Sequence, residues 1–238
     1  MPSGPNLDRT ILYRLAFIRK CYILLLRGYD VIKGEDLSRA EETSITGELV
    51  RGVREVLESE EAEDWMQLFE LYDDPPQNIP GRLGRSRPRV DIEFVRLSGR
   101  GRRPRFHIEA KRLYRSDSIK EYFGDEGLGC FIVGRYAAHE AAGGMLGYVQ
   151  TDTALKWSAR IKTGFTEKAG MLRVVFGTCL AEADGLQELG SIQVSRHHRE
   201  PATLGPIQVF HLLLNFLPPA VPRAPSGPGT NPSVQLDV

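Results

Sequence analysis

Two short segments that alternate between apolar and polar residues place the strongest constraint on how this chain folds. They are 89–96, RVDIEFVR, and 105–113, RFHIEAKRL. A period of two over β-prone residues is typical of strands that bury one face. A turn rich in glycine and arginine, 98–104, separates the two segments. The sequence therefore predicts a β-hairpin with one apolar and one charged face.

The alternation assigns every side chain of the predicted hairpin to a face. The apolar face carries Val90, Ile92, Phe94, Phe106, Ile108 and Ala110. The opposite face carries Asp91, Glu93, His107, Glu109 and Lys111. We expect the turn to pair Arg96 with Phe106, which fixes the register of the remaining pairs.

In this register Asp91 lies across from Lys111, and Glu93 lies across from Glu109. Directly opposed side chains have Cβ atoms about 4.5–5.5 Å apart, so we expect three carboxylates and one ammonium to meet on one face. Carboxylates this close repel each other, and a bound divalent cation removes the conflict. Oxygen ligands that leave room for water and phosphate indicate Mg²⁺ or Mn²⁺. The alternative is an ordinary solvent-facing strand on which Lys111 neutralises Glu109.

The same residues carry a resemblance to a known family. Val90-Asp91-Ile92-Glu93 followed by Ile108-Glu109-Ala110-Lys111 resembles the PD-(D/E)xK nuclease superfamily, whose members share the restriction-endonuclease-like fold. The resemblance covers the hairpin alone, and Val90 stands where the motif has proline. It implies a phosphodiester hydrolase that binds one or two Mg²⁺ ions. Asp91 and Glu109 would be catalytic metal ligands, the Ala110 carbonyl a further ligand, and Lys111 the catalytic lysine.

The resemblance also implies accessory residues outside the two strands. Many members supply a carboxylate from the helix before the hairpin. Glu48 is the candidate because it lies at the margin of that helix's apolar stripe, and Glu55 and Glu42 are the alternatives. Tyr148 and Gln150, in segment 143–150, are possible accessory residues because related end-processing nucleases carry a tyrosine and a glutamine downstream of the site. Glu93 is a further possible accessory residue.

Charge is strongly segregated along the chain, although the formal net charge is zero. Residues 35–74 hold 14 acidic side chains against three basic ones, and residues 82–115 hold 12 basic against three acidic. A basic stripe of this density predicts binding to the phosphate backbone of a nucleic acid; the alternative is a solvated loop. The candidate nucleic-acid-binding residues are Arg85, Arg87, Arg100, Arg102, Arg103 and Arg112.

The remaining periodicity predicts an α/β (α+β) fold, a restriction-endonuclease-like mixed β-sheet flanked by helices. Helices are predicted over 8–27, 43–59, 62–72, 117–124 and 152–162, and further strands over 144–150, 171–176, 190–196 and 206–214. Segment 128–137 fits either a strand or a helix. We expect one nuclease-like domain over 1–216, with N-terminal helices in 8–72 and the catalytic core in 89–216. The Pro/Gly/Ser-rich segment 217–238 is expected to be disordered.

Cysteine usage and hydropathy bound the class of protein. Three cysteines, far apart and without zinc-type spacing, exclude a disulfide scaffold. The longest apolar run, 21–26, is much shorter than the roughly 20 residues of a membrane span. We therefore expect a soluble, cytoplasmic protein without a membrane partner. His197 and His198, which neighbour Arg196 and Arg199, are expected at the surface.

Together these features predict a divalent-metal-dependent nuclease that hydrolyses DNA phosphodiester bonds. Phosphate contacts carry no base information, so we expect a protein partner to direct the cut, as in anti-phage defence or restriction. A homo-oligomer is a further possibility, because paired cuts need two active sites. The alternative function is a catalytically inactive nuclease-like module that binds nucleic acid or a partner protein.

Overall fold

The computed structural model describes residues 6–77, 84–97, 102–178 and 180–219. Over these ranges the helices are α1 (Asn6–Ile32), α2 (Glu42–Glu58), α3 (Ser118–Phe123), α4 (Leu128–Ile132) and α5 (Ala154–Glu167). The strands are β1 (Phe69–Asp73), β2 (Ile92–Arg96), β3 (Arg105–Leu113), β4 (Ala142–Val149), β5 (Ala181–Glu182), β6 (Gln193–His197) and β7 (Ile207–Asn215). Single 3₁₀ turns lie at Met66–Leu68, Gly84–Ser86, Gln187–Leu189 and Ala202–Leu204.

The strands within the described ranges form one seven-stranded sheet in the order β1-β2-β3-β4-β7-β6-β5. The three central strands, β3, β4 and β7, run parallel to one another. The outer pairs β1–β2, β2–β3, β6–β7 and β5–β6 are antiparallel. Helices occupy the crossovers that parallel neighbours require. The predicted α+β class, a mixed sheet flanked by helices, is confirmed.

Apolar side chains cover the sheet on both faces. One core joins α1 and α2 to the sheet, and a second core joins α3, α4 and α5 to the other face. All eight residues of β4 are consequently buried. Burial on both faces explains why β4, AGGMLGYV, carries no charged side chain, in contrast to the alternating hairpin strands.

Most of the predicted elements are present, with shifted ends. The helices predicted over 8–27, 43–59, 117–124 and 152–162 correspond to α1, α2, α3 and α5. The strands predicted over 144–150, 190–196 and 206–214 correspond to β4, β6 and β7. Segment 128–137, for which the sequence left two alternatives, contains α4.

The helix predicted over 62–72 is wrong. This segment holds a 3₁₀ turn followed by β1, whose Leu71 lies across from Phe94 and whose Glu70 lies across from Val95. A helix of this length is marginal on its own, so pairing with the edge of β2 determines the outcome. The strand predicted over 171–176 is also wrong, because only Val174 forms an isolated bridge there, with His197.

Helices α1 and α2 make their closest approach at two glycines. A Cβ added to Gly52 would lie 2.3 Å from the carbonyl oxygen of Gly28, and one added to Gly28 would lie 2.4 Å from Cγ2 of Val53. Neither position has room for a methyl group. This backbone contact fixes how α2 lies over the sheet.

A buried chain of hydrogen bonds links β6 and β7 to α3. His197 Nδ1 lies 2.6 Å from the Leu172 carbonyl oxygen, so Nδ1 carries the proton and Nε2 accepts from Ser195 Oγ at 2.7 Å. His211 Nε2 in turn donates to Ser195 Oγ at 2.8 Å, and His211 Nδ1 accepts from Tyr122 Oη at 2.8 Å. Both imidazoles are therefore held neutral with all of their nitrogens bonded.

The expectation that His197 lies at the surface is wrong, whereas His198 is exposed. Alternation along β6 buries Ser195 and His197 together on the inner face. Arg199 is also buried, and its guanidinium donates to the carbonyl oxygens of Gly205, Ala137 and Leu204.

No helix in the described ranges is long and apolar enough to cross a membrane. The segment expected to be disordered, 217–238, lies outside the described residues from position 220 onward.

We predict that Gly52→Ala lowers the free energy of unfolding by about 1–3 kcal/mol, since the added methyl overpacks the contact with Gly28. Gly47→Ala in the same helix is the matched control, because nothing lies within 4 Å of its added Cβ. There the better helix propensity of alanine is expected to stabilise by up to about 1 kcal/mol. Urea denaturation of both variants checks this, and equal stabilisation by both would contradict the close helix contact.

We predict that His211→Gln reduces the acid sensitivity of the fold. Burial lowers the pKa of His211 to about 3, below the value of about 6.5 in the unfolded chain. The unfolded state therefore binds the extra proton, and stability present above pH 6.5 is lost as the pH falls toward 3. Between these two pKa values, each such histidine makes the unfolding constant about tenfold larger for every unit by which the pH falls.

Denaturant titrations between pH 6 and 4.5 measure this slope. In the parent chain, His211 contributes a rise of about tenfold in the unfolding constant for each unit by which the pH falls. We expect this contribution to be absent in His211→Gln. His198→Gln, at an exposed position, serves as the control and leaves the slope unchanged. Equal slopes in the parent chain and the His211 variant would contradict the neutral buried chain.

Candidate active site

The hairpin pairs in a different register from the predicted one. Glu93 lies across from His107 and Phe94 lies across from Phe106, whereas the sequence prediction opposed Arg96 to Phe106. The turn is tighter than expected, because the Arg96 N–H donates to the carbonyl oxygen of Pro104 at 3.0 Å. The predicted pairs of Asp91 with Lys111 and of Glu93 with Glu109 are therefore wrong. A two-residue shift preserves the face of each side chain, so the β3 carboxylate and ammonium still lie together.

At Asp91 the chain before β2 separates from β3, although it stays hydrogen-bonded to the segment that follows β1. Val90 packs in the core of α3, α4 and α5, whereas Ile92 packs in the core of α1 and α2. The prediction that Val90 and Ile92 share a face is thus wrong, because the alternation breaks at the residue between them. The Asp91 carboxylate instead accepts a hydrogen bond from the Ala110 N–H through Oδ2 at 2.7 Å.

Beyond Ile108, β2 no longer pairs with β3, and carboxylate side chains accept the backbone hydrogen bonds on that edge of β3. The Glu42 carboxylate, at the start of α2, accepts from the Arg112 N–H through Oε2 at 3.1 Å. Backbone N–H groups two residues apart point to the same edge of a strand, and the carbonyl of each residue points the same way as its N–H. The Ala110 carbonyl therefore projects between Asp91 and Glu42. Three segments distant in sequence meet at this edge.

The Lys111 ammonium lies among the carboxylates. Its Nζ is 2.8 Å from Glu42 Oε1 and 2.9 Å from Glu109 Oε1. The side chains of Lys111 and Glu109 are only 10% and 6% exposed. With Asp91 included, three carboxyl groups lie around one ammonium, so their full ionisation would leave an excess of two negative charges, which a divalent cation would balance.

Burial and like charge raise the pKa values of Glu109 and Asp91. Burial, followed by the negative charge of Asp91, raises the pKa of Glu109 to about 8, against the opposing effect of Lys111. Burial also raises the pKa of Asp91, although Lys111 and the Ala110 N–H oppose it. For Lys111, burial lowers the pKa, but the carboxylates of Glu109, Glu42 and Asp91 outweigh burial and raise it.

One carboxyl oxygen of the cluster, Glu109 Oε2, is buried and accepts no hydrogen bond from a donor in the described part of the chain. A proton on Glu109 can bridge it to the Asp91 carboxylate, and loss of this proton leaves the oxygen open. An unsatisfied buried acceptor is costly, and in native proteins it commonly marks a site for an ion or a water molecule. This oxygen is the feature that best fits the oxygen donor set of a hard divalent cation.

A surface groove of about 400 Å³ lies directly beside the cluster. Its lining comprises Pro88, Glu109, Lys111, Glu126, Cys130, Arg135 and Tyr136. Tyr136 is held in place by a 2.6 Å hydrogen bond from its hydroxyl to the Arg89 carbonyl oxygen. The Arg135 guanidinium donates to the Asp125 carbonyl oxygen at 2.9 Å. The lining thus combines the carboxyl groups of Glu109 and Glu126 with the Lys111 ammonium and the Arg135 guanidinium.

Arg135 and Tyr136 are groove residues that sequence reasoning missed. Both follow α4, in the segment whose structure the sequence left open. The only available signal was an arginine and a tyrosine adjacent in sequence, which carries no site information until the sheet brings them beside β3.

Glu42, and not Glu48, is the helix carboxylate that reaches Lys111. Glu48 pairs with Arg51 at 2.6 Å, and Glu55 pairs with the same guanidinium. The helical period explains the difference, because these two lie on the side of α2 where Arg51 projects.

The other accessory residues lie away from Lys111. Tyr148 is buried on the opposite face of the sheet, with its hydroxyl 2.9 Å from Thr46 Oγ1. Gln150 accepts from Arg112 Nε at 2.8 Å and donates to the Leu37 and Ala40 carbonyl oxygens at 2.9 Å. Gln150 thus fastens the α1–α2 loop to the sheet. Glu93 pairs with Arg105 and His107.

The candidate nucleic-acid-binding arginines are in different situations. Arg112 is engaged internally with Gln150 and Glu41, and its side chain is only 15% exposed. The exposed Arg102 and Arg103 lie 2.8 Å from Glu140 and 3.9 Å from Glu70, respectively. Arg85 is exposed and Arg87 half-buried. Arg100 lies outside the described residues.

The cluster is not arranged as a ready metal site. In the described part of the chain, no three His, Cys, Asp or Glu side chains are grouped so that they could hold a metal ion. The physical reason is the position of the Lys111 ammonium, which itself contacts two of the three carboxylates. A cation has to share the carboxylates with this lysine.

No protein-family model, curated protein or solved structure matches this chain. The chemistry of the site is therefore argued from its own geometry.

We predict that Glu109→Gln stabilises the protein, and more so at high pH. The folded-state pKa of Glu109, about 8, is above its unfolded value of about 4.3. This carboxyl therefore contributes stability that is present at pH 4 and is lost as the pH rises through 8. Glutamine does not titrate and removes the repulsion from Asp91 and Glu42.

Melting temperatures at pH 5 and pH 9 test this prediction. At pH 9 we expect Glu109→Gln to melt at a higher temperature than the parent chain, which corresponds to about 1–2 kcal/mol in the free energy of unfolding. At pH 5 we expect the two melting temperatures to be nearly equal. Glu58→Gln, at an exposed position of α2, controls for loss of a surface charge. A gain that is the same at both pH values would contradict charge repulsion within the cluster.

Proposed function

We propose that this protein is a Mg²⁺- or Mn²⁺-dependent nuclease that hydrolyses DNA phosphodiester bonds, with an active site of the PD-(D/E)xK type. One observation carries the proposal: the buried carboxyl group of Glu109 lies with Asp91 and Glu42 around a single lysine, and Glu109 and Lys111 line a groove. A purely structural ion cluster gains nothing from a third acid whose ionisation would leave an excess of two negative charges. A site that takes up a divalent cation requires it.

The residues that would hold the cation are Asp91, Glu109, the Ala110 carbonyl and Glu42. When bound, a divalent cation would polarise the scissile phosphate and lower the pKa of a bound water. At neutral pH Glu109 carries a proton, since its pKa is raised to about 8. Loss of this proton supplies the second negative oxygen that the cation needs, so cation binding releases a proton.

Lys111 and Arg135 act on the phosphate from the protein side. The raised pKa of Lys111 keeps its ammonium charged, which suits stabilisation of negative charge in the transition state. Arg135 lines the same groove and presents a guanidinium suited to phosphate oxygens. Tyr136, fixed by its bond to Arg89, forms a rigid wall of the groove.

The same proposal extends to substrate and setting. The exposed Arg85, Arg102 and Arg103 provide contacts to a DNA backbone, and such contacts carry no base information. A protein partner therefore directs the cut, as in anti-phage defence or restriction within the cytoplasm. A homo-oligomer would bring two active sites together for paired cuts.

A second function is favoured by the arrangement of Lys111. Because no ready metal site exists among the described residues, the chain could be an inactive nuclease-like module. Its arginines would then bind nucleic acid or a partner protein. The two functions differ in whether divalent cations bind and whether DNA is cleaved.

We predict that Lys111→Ala and Asp91→Ala each lower Mn²⁺-dependent cleavage of DNA by at least about a hundredfold. Glu42→Gln is expected to lower it as well, because Glu42 contacts Lys111 directly. The assay incubates purified protein with plasmid, linear and single-stranded DNA, with and without Mn²⁺. Glu58→Gln, exposed on the same helix, is the control and keeps full activity.

Circular dichroism and calorimetry complete the test. Every variant has to keep the folded spectrum for its loss of cleavage to count. Full activity of Lys111→Ala and Asp91→Ala would remove the catalytic assignment. Absence of both cleavage and Mn²⁺ binding in the parent chain would leave the inactive module as the function.

A further inference from the structure

A second cavity, of about 200 Å³, lies next to the groove. Its charged and polar lining includes Glu93, Arg102, Arg105, His107, Arg135 and His139. Arg135 lines both the groove and this cavity. Neither the carboxylate cluster nor the proposed hydrolysis uses its histidines.

His107 is the central feature of the cavity. Its side chain is 5% exposed, its Nε2 lies 3.4 Å from Glu93 Oε2, and its Nδ1 is buried without a partner. Glu93 is fixed in turn by Arg105 and by Gln77 Nε2 at 3.3 Å. The imidazole is therefore held rigidly while one of its nitrogens stays unsatisfied. In native proteins such an unsatisfied nitrogen commonly marks a position where a ligand, an ion or a water molecule binds.

The charges around the cavity select an anion. Three guanidinium groups and the carboxylate of Glu93 line it, and a second carboxylate, that of Glu140, pairs with Arg102 from outside the lining. The guanidinium groups therefore still outnumber the carboxylates by one. A metal ion, which a carboxylate-bound histidine otherwise suits, is repelled by the arginines. The planar fork of arginine matches the oxygens of a phosphate group. The second nitrogen of a neutral imidazole is an acceptor, which can take a hydrogen bond from a phosphate hydroxyl.

The cavity lies along the path of the substrate strand. His107 and Glu109 are two residues apart on the same face of β3, so their Cα atoms are about 7 Å apart. Arg135 lines both the groove and this cavity, so the two are adjacent there as well. A strand with one phosphate at the carboxylates can place another at His107.

We propose that this cavity is a phosphate-binding subsite, in which Arg102, Arg105, His107 and His139 hold a phosphate of the substrate strand while the scissile phosphodiester lies in the groove. Its place on the substrate rests on the proposed nuclease function, whereas its affinity for phosphate does not. The subsite fixes the distance between the bound phosphate and the cut.

Inorganic phosphate tests the subsite without any cleavage. Isothermal calorimetry with the parent chain is expected to show one phosphate bound, and Arg102→Ala and His139→Ala to weaken it at least fivefold. Both positions are exposed, so these variants keep the test valid if His107→Asn fails to fold. Arg160→Ala, which breaks a 2.7 Å pair with Asp152 on α5, is the control and binds phosphate as the parent does.

Oligonucleotides then locate the phosphate. Anisotropy titrations compare a 5′-phosphorylated strand with its 5′-hydroxyl counterpart, in Ca²⁺ to prevent cleavage. A larger loss for the phosphorylated strand in Arg102→Ala and His139→Ala assigns a terminal phosphate, and an equal loss for both strands assigns an internal one. Unchanged phosphate and oligonucleotide affinities in both variants overturn the subsite. Phosphate binding without cleavage in the parent chain removes the nuclease function and leaves the anion site standing.

Discussion

The arrangement of the candidate site depends on one interruption of a backbone ladder. The chain before β2 separates from β3 at Asp91, and this edge of β3 then takes its hydrogen-bond acceptors from side chains, Asp91 at the Ala110 N–H and Glu42 at the Arg112 N–H. Buried backbone N–H groups need hydrogen-bond acceptors, and here two carboxylates accept from N–H groups within one short stretch of β3. Glu109 and Lys111 project from the same stretch, and the resulting concentration of charge follows from that geometry.

This concentration of charge opposes stability. Burial, together with the negative charge of Asp91, raises the pKa of Glu109 to about 8, and its Oε2 is buried without a hydrogen-bond donor in the described chain. His107 leaves a second buried atom unsatisfied on the same face. Proteins retain such features mainly where a ligand is to be bound. The buried chain through Ser195, by contrast, has every one of its polar side-chain atoms hydrogen-bonded.

The sequence predicted the parts that local physics controls. Period-two alternation identified β2 and β3 and the face shared by Glu109 and Lys111, because side-chain direction follows from strand geometry alone. It failed where distant segments decide: β1 forms a strand because β2 offers it an edge, and Glu42 reaches Lys111 because of how α2 crosses α1 at Gly28 and Gly52. The tighter turn after Arg96, which changed the register, also depends on backbone geometry that composition does not specify.

The ion pair between Glu42 and Lys111 spans 69 positions of the chain. Closing so long a loop costs entropy that only the completed sheet and helix layer repay. A nascent or truncated polypeptide therefore has dispersed acids and a free lysine, with no assembled reaction centre. Under the proposed nuclease function, the requirement for complete folding would keep the unfinished chain from cutting nucleic acid during synthesis.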